Sequence, residues 1–324
     1  RRIGRARVLG SRENLFEIAT EHDVDTIVLA IAHASGDFIR QLSDDVQQRG
    51  IRLLVLPPFR EIVAGRIQLR QLHRVEVADL LGRDPVETDL RPLAELLNGS
   101  RVLITGAGGS IGSELARQVQ TYHPTELILL DRDESALHAL ELSLYGTGML
   151  VDPSFVLCDI RDAEALREAF AQHRPDIVLH TAALKHVPML ERYPAEGWKT
   201  NVLGTKNVLQ AAAATHVQHF VNISTDKAAD PSTVLGTTKR LADRLTAWCA
   251  EHEDGQYVSV RFGNVLGSRG SVLDTFTYQI EHGLPVTVTH PDAERFFMTV
   301  AEACQLVLQA TGVGRTGQVR VLDM

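Results

Sequence analysis

Residues 224–240, STDKAADPSTVLGTTKR, set a carboxylate beside an amine at Asp226 and Lys227 and add a second amine at Lys239. An adjacent acid and amine can divide proton-transfer work when burial or neighbouring charge tunes each group. The stretch follows the apolar run HFVNIS, so Thr225, Asp226 and Lys227 leave the end of a strand at a cleft edge. Asp230 and Ser232 flank Pro231, which suits a helix start, and Leu235 and Lys239 then share one helix face. Gly236 inside that helix costs stability, tolerable if a cofactor must approach closely. Leucine has no exchangeable proton to offer at its position. Five lysines stand among the 33 basic residues, all within 185–239. Lysine, unlike arginine, can lose its proton when desolvated, although so few residues can also cluster without meaning.

A second constellation is LITGAGGSIGSELARQ, with Gly106, Gly109 and Gly112 between a strand and a helix and with Ser110 and Ile111 inside the turn. The first glycine permits a tight turn, the second a close approach of a pyrophosphate, and the third helix-to-strand packing. The helix amino terminus supplies N–H groups to an anion. The next strand ends on Asp131, placed to bond both ribose hydroxyls of a dinucleotide and to repel a 2′-phosphate, which favours NAD over NADP. Arg132 follows it and would welcome that phosphate instead. Asp159, after FVLC, is placed either at an adenine edge or as a helix N-cap.

These groups need a scaffold, and the chain is long enough to supply one. Its 324 residues, 44% hydrophobic and 23% charged, suit a globular protein with one large core or two modest ones. A net charge of -8 argues against a nucleic-acid groove or an anionic membrane surface as partner. Cys158, Cys249 and Cys304 have neither paired nor metal-ligand spacing, which points to reduced thiols, a cytoplasmic setting and no metal. The longest apolar runs, such as TIVLAIA at 26–32, are too short to cross a bilayer, and no signal peptide is visible. The chain starts on Arg1 and stops in VRVLDM, which reads as an unfinished strand, so a portion of a longer protein is expected.

Strand–helix alternation organises the chain. Within 7–56, RVLG, DTIVLAIA and IRLLVLP read as strands, and RENLFEIATEHDV and DFIRQLSDDVQQRG as helices. No glycine-rich phosphate turn occurs there, so 1–75 is a partial nucleotide-fold domain acting as scaffold or regulatory appendage. Residues 76–98, with GRDP and LRP, read as a linker. From 99 to 324 a stronger series begins: RVLIT, ELILL, FVLC, DIVLH, HFVNI and YVSVRF, six strands of a doubly wound parallel sheet in the Rossmann manner. From about 270 the rhythm loosens into a small substrate lobe.

The blocks GAGGSIGSEL, HTAALKHVPMLE, NVLGTKNV, STDKAADP, LGTTKR, RFGNVLGSRGSV and VTVTHPDAERFFM run through nearly all of 100–324. Together they resemble the extended short-chain dehydrogenase/reductases, specifically the CapD-like UDP-N-acetylglucosamine 4,6-dehydratases of polysaccharide biosynthesis. ADLLGRDPV at 78–86 is similar to the region preceding the catalytic domain in the large, membrane-anchored members. The resemblance implies a reaction in which NAD oxidises a UDP-sugar at C4, water leaves from C5 and C6, and the hydride returns to C6. It implies Lys227 as the C5 base and Asp226 as the acid at C6, the latter needing a raised pKa to arrive protonated. Leu235 stands where most relatives carry a tyrosine and large members commonly a methionine. The 4-hydroxyl proton then goes to Asp226, or through Thr225 or a water toward Lys239. Ile160, Ala182, Ala183 and Lys239 join the cofactor contacts. Lys185, His186, Asn201, Asn264, Arg269 and Arg295 are the expected substrate contacts, His186 having a structural role as its alternative and the two arginines a mere surface role. A homo-oligomer, first a dimer, and a cytoplasmic location, with the full-length protein anchored at the membrane, complete the expectation. A nucleotide-sugar 4-epimerase and a noncatalytic NAD-binding sensor or scaffold are the rival readings.

Overall fold

The computed structural model describes residues 2–3, 6–31, 34–56, 73–74, 91–288, 290, 292, 295–313 and 315–321. The chain divides into two compact units, Arg1–Pro85 and Val86–Met324. In the first, β1 (Arg2–Ile3) and β2 (Ala6–Arg7) form a short antiparallel ladder. β3 (Thr26–Leu29) and β4 (Arg52–Val55) run parallel, and β5 (His73–Arg74) pairs antiparallel with β4. The helix Gly36–Gln48, capped by the Ser35 side chain, buries Ile39, Leu42 and Val46 against Leu29 and Leu53. The strand expected at RVLG is not there. Only Arg7 enters a ladder, while Val8 and Leu9 lie exposed and pair with no strand among the described residues.

The second unit holds one seven-stranded sheet. Its strands are β6 (Arg101–Thr105), β7 (Glu126–Asp131), β8 (Phe155–Leu157), β9 (Ile177–His180), β10 (His219–Thr225), β11 (Gln256–Phe262) and β14 (Val319–Val321). Their spatial order is β8-β7-β6-β9-β10-β11-β14, and every neighbouring pair is parallel. The order reverses between β6 and β9, the switch point where such sheets open a crevice at their carboxyl ends. Alternate residues feed the two faces. Val102 and Ile104 join Leu115, Ala116 and Val119 of the helix Ser110–Gln120, whereas Leu103 joins Leu166, Phe170, Val208 and Ala212 on the other side. Strands covered on both faces read as unbroken apolar runs, which makes β6, β7, β9, β10 and β11 legible, while β8 lies at the sheet's edge with Leu157 exposed. β14 adds the seventh, inside VRVLDM.

Two expectations need correction. Residues 75–90, with most of the linker and the ADLLGRDPV block, lie outside the described residues, but Arg91–Leu97 is a helix whose Leu93 and Leu97 are buried in the sheet's core. The lobe also ends sooner than 324. It consists of β12 (Asn264–Leu266) paired parallel with β13 (Phe297–Thr299) and the helix Val272–Glu281, capped reciprocally by Ser271 and Asp274. The helix Val300–Val313 then returns to bury Cys304, Val307 and Leu308 in the main core. Among the described residues, no helix is long and apolar enough to cross a membrane.

Candidate active site

Two cavities open at the carboxyl ends of the strands. The first, about 520 Å³, is built around the glycine turn, with Gly106, Gly109, Ser110, Ile111 and Gly112 on one wall. Gly106 has φ +66°, and a Cβ there would stand 2.7 Å from the Ala182 Cα. A Cβ on Gly112 would meet the Gly106 carbonyl, so helix and turn could not close together. Gly109 is the N-cap and offers no side chain to the first turn, leaving N–H groups directed at the cavity. Asp131 ends β7 at the rim and accepts from the Gly108 N–H at 2.9 Å and the Asp133 N–H at 3.0 Å. This carboxylate braces the turn as well as facing the cavity. Ile160, Ala182 and Ala183 complete the wall, and the set fits a dinucleotide.

Asp159 lines the same cavity without capping a helix. Asp162 is the cap, accepting from the Glu164 and Ala165 N–H groups. Asp159 is instead clasped by Arg161, Nη2 to Oδ2 at 2.6 Å and Nε to Oδ2 at 2.9 Å, with Arg132 at 3.7 Å. Burial by itself would raise this carboxyl, but the Arg161 bonds and the two guanidinium charges outweigh it and hold it below the usual carboxylate range.

The second cavity, about 380 Å³, is lined by Thr225, Lys227, Leu235, Lys239 and Asn264. Lys185 and His186 line both cavities, which are therefore neighbours with a shared wall. β10 delivers Thr225 to the cleft. Its hydroxyl donates to Asp226 Oδ1 at 2.8 Å, and Lys227 Nζ donates to Asp226 Oδ1 and Asn264 Oδ1, each at 3.0 Å. Asp226 is outside the cavity wall proper and joins it through these two neighbours. Burial pushes its pKa up, but the bonds from Lys227 and Thr225 and the Lys227 charge outweigh that and lower it. So held, it would serve as an acid only after taking up a proton, as in the expected transfer from the 4-hydroxyl.

The helix Val234–His252 presents Leu235 and Lys239 to the cavity, both buried. Its cap is Thr233, whose side chain accepts from the Gly236 N–H at 3.1 Å, so neither Asp230 nor Ser232 starts it. Gly236 also has a different reason from the one expected. A Cβ there would strike the Lys227 carbonyl, so the glycine lets the turn bearing Asp226 and Lys227 press on the helix. Burial pushes the Lys239 ammonium down to about 8, against the opposing pull of Asp243.

The expected substrate residues divide. Asn264 belongs to the second cavity, and Lys185 ties across it, donating to the Arg269 carbonyl at 2.7 Å and Ser268 Oγ at 3.4 Å. Desolvation lowers the Lys185 pKa, Asp274 opposes this, and Arg269 adds to it. The His186 ring sits against Gly270, where a Cβ would come within 2.9 Å of it. Asn201 lines neither cavity. Fully buried in the π-helix Trp198–Gly204, it accepts from the Leu184 N–H at 2.8 Å and donates to the Leu184 carbonyl at 3.0 Å and to Thr238 Oγ1 at 3.1 Å. Its amide is consumed in fixing the loop that carries Lys185 and His186. Arg269 lines the first cavity and not the second one. Arg295 is exposed just before β13 and lines neither.

Sequence reasoning missed a buried relay beneath the site. Thr205 Oγ1 spends its hydrogen on the Asn201 carbonyl at 2.8 Å, so His180 Nε2–H donates to Thr205 and Nδ1 accepts from Thr105 at 2.7 Å. Burial, with the Lys239 charge second, pushes this imidazole down to about 3 and keeps it neutral. A histidine closing the apolar strand DIVLH was the available signal. Ser268 and Gly270, which also line the second cavity, were visible only as part of GSRG.

Comparisons with known proteins agree with this architecture. The chain is 42% identical over 322 residues to the capsular polysaccharide biosynthesis protein CapD of Staphylococcus aureus, covering 99% of this chain and 54% of that one. It thus spans about half the length of the curated relatives it matches. The X-ray structure of Pen from Bacillus thuringiensis superposes with a TM-score of 0.66 at 33% identity, over 70% of each chain. DesIV, a dTDP-glucose 4,6-dehydratase from Streptomyces venezuelae solved with NAD and TYD bound, shares the fold with a TM-score of 0.60 at 23% identity, over 68% of this chain and 74% of that one. With residues 102–324, from the first strand of the large sheet onward, matching the family described as polysaccharide biosynthesis protein, the chain belongs to that family.

Proposed function

We propose that this chain is the catalytic part of a nucleotide-sugar 4,6-dehydratase that converts UDP-N-acetylglucosamine, or a similar UDP-hexose, to a 4-keto-6-deoxy sugar. The observation that carries the reading is the Asp226–Lys227 pair, joined at 3.0 Å and set beside a cavity floored by Leu235 and Lys239. An epimerase has no use for an elimination pair. NAD would be held by the glycine turn and Asp131 in the first cavity, with Lys239 in the adjoining one, and would supply the acceptor for a hydride from C4 and its donor to C6. NADP is the less favoured cofactor, because Asp131 stands at the rim while Arg132 is drawn toward Asp159.

The protein's own groups account for the protons. Ionised Asp226 accepts the 4-hydroxyl proton, the task that Leu235 cannot perform. The ketone then acidifies C5–H, and Lys227, once its ammonium has released a proton to solvent, takes that proton. Asp226, protonated by the first step, hands its proton to the departing C6 oxygen, which leaves as water. Lys227 returns a proton to C5. Two protons are taken and two delivered, so the pair ends as it began. A lowered pKa suits Asp226 to the first of these tasks, and the 4-hydroxyl supplies what the second needs.

A homodimer through the helices that carry exposed Met189, Tyr193, Trp198 and Trp248 belongs to the same reading, as does a cytoplasmic site of action with the full-length protein tethered to the membrane. The test is incubation of the purified chain with NAD and UDP-N-acetylglucosamine, followed by mass spectrometry and NMR. The expected product has lost one water and carries a 4-keto group. An isomer of unchanged mass would establish the epimerase instead. Bound NAD with no turnover of any UDP-hexose would establish the sensor or scaffold.

A further inference from the structure

The segment Gly267–Gly270, of sequence GSRG, is a short strap between β12 and the helix Val272–Glu281. Both end glycines have left-handed backbones, φ +69° and +67°. The strap belongs to the lobe by chain order, yet its bonds run to the dinucleotide side. The Arg269 N–H donates to Ser110 Oγ at 2.9 Å, and the Arg269 guanidinium reaches the Gly108 carbonyl. Lys185 Nζ holds the Arg269 carbonyl from the opposite wall. Gly108 and Ser110 flank Gly109, the N-cap of the eleven-residue helix Ser110–Gln120, so the guanidinium lies where that helix points its free N–H groups.

Three sources of positive potential therefore converge: the helix terminus, the Arg269 guanidinium and the Lys185 ammonium. Among the described residues, Arg269 has no carboxylate within ion-pair distance. Asp274 faces Lys185 and Asp131 takes the Gly108 N–H, but Arg269 has no such partner among the described residues, and an anion between these groups would be attracted by all three. The planar fork of an arginine suits a diphosphate in particular.

We propose that Arg269, carried by the lobe, binds the diphosphate of the dinucleotide cofactor and not that of the sugar nucleotide. The strap is then a wall common to both cavities, Ser268 lining each, and the grip on the cofactor depends on the lobe being in place. The inference rests on the reading of the first cavity as a dinucleotide site.

The test measures equilibrium binding of ADP-ribose, adenosine and UDP to the wild-type chain, Arg269→Gln and Arg269→Lys. ADP-ribose carries the diphosphate without the nicotinamide, and adenosine lacks phosphate altogether. Loss of a charge-assisted bond to a phosphate is expected to weaken ADP-ribose binding by roughly ten- to a hundredfold in Arg269→Gln. The expected loss in Arg269→Lys is smaller, with adenosine and UDP unchanged. Arg269 is exposed, so both variants should fold, and unaltered UDP binding verifies it. Weakened UDP binding with ADP-ribose untouched would return Arg269 to the sugar nucleotide and overturn the proposal. Unchanged binding of all three ligands would overturn it as well. A wild-type chain that binds no ADP-ribose would instead overturn the dinucleotide reading and the proposal with it.

Discussion

Replacing Lys239 by methionine should stabilise the chain at neutral pH while removing its activity. The side chain is 5% exposed, and burial brings its ammonium from the ordinary lysine value of 10.5 down to about 8. A displacement of that size corresponds to about 3 kcal/mol. The sign follows from linkage. Between the folded value and the unfolded one, the unfolded chain binds the extra proton, so stability rises with pH across that window. The penalty is therefore fully present below about 8 and vanishes as pH passes 10.5. Methionine fills a similar volume and carries no charge to desolvate. In urea titrations at about pH 7, Lys239→Met should be the more stable protein by about 2–4 kcal/mol, and the advantage should shrink by about 2 kcal/mol at about pH 9.5. NAD binding and turnover should be lost in the same variant. A stability difference that does not change with pH, or a variant less stable than wild type at neutral pH, would refute the burial argument.

Asp226→Asn should lower turnover by about 10²–10⁴-fold with NAD still bound, whereas Leu235→Ala should cost about tenfold or less, since leucine moves no proton. Equal and total loss in both would count against the assignment. Because its partners hold Asp226 below the ordinary value of 3.8, the profile of rate against pH should show no loss from this group until pH falls beneath that value. Asn201→Ala takes the amide partner from the N–H and carbonyl of half-buried Leu184 and should destabilise by about 1–3 kcal/mol in denaturant titrations. Gly236→Ala should destabilise by about 1–3 kcal/mol where helix propensity alone would give a gain of about 1 kcal/mol, because the new Cβ meets the Lys227 carbonyl. Slower turnover should accompany it as the Asp226–Lys227 turn is pushed away.

The amino-acid sequence by itself determined the parts of this protein that obey local rules. Strands buried on both faces must be apolar throughout, so RVLIT, ELILL and HFVNI announced the sheet. A turn in which a Cβ would collide with a neighbouring backbone must be glycine, so Gly106 and Gly112 announced the turn that walls the first cavity. The side-by-side placement of Asp226 and Lys227, and of Leu235 with Lys239 one helical turn apart, is likewise a matter of chain order. Tertiary structure decided which partner each of these groups meets. Asp226 is held below the ordinary carboxylate value because Thr225 and Lys227 converge on one oxygen, Asn201 is spent on Leu184 and Thr238, and Gly236 answers to a carbonyl nine residues earlier. Arg269 reaches the glycine turn across 161 residues of sequence. Hydrogen bonds and charge interactions depend on distances that only the packed chain sets, and spacing along the backbone carries no record of them.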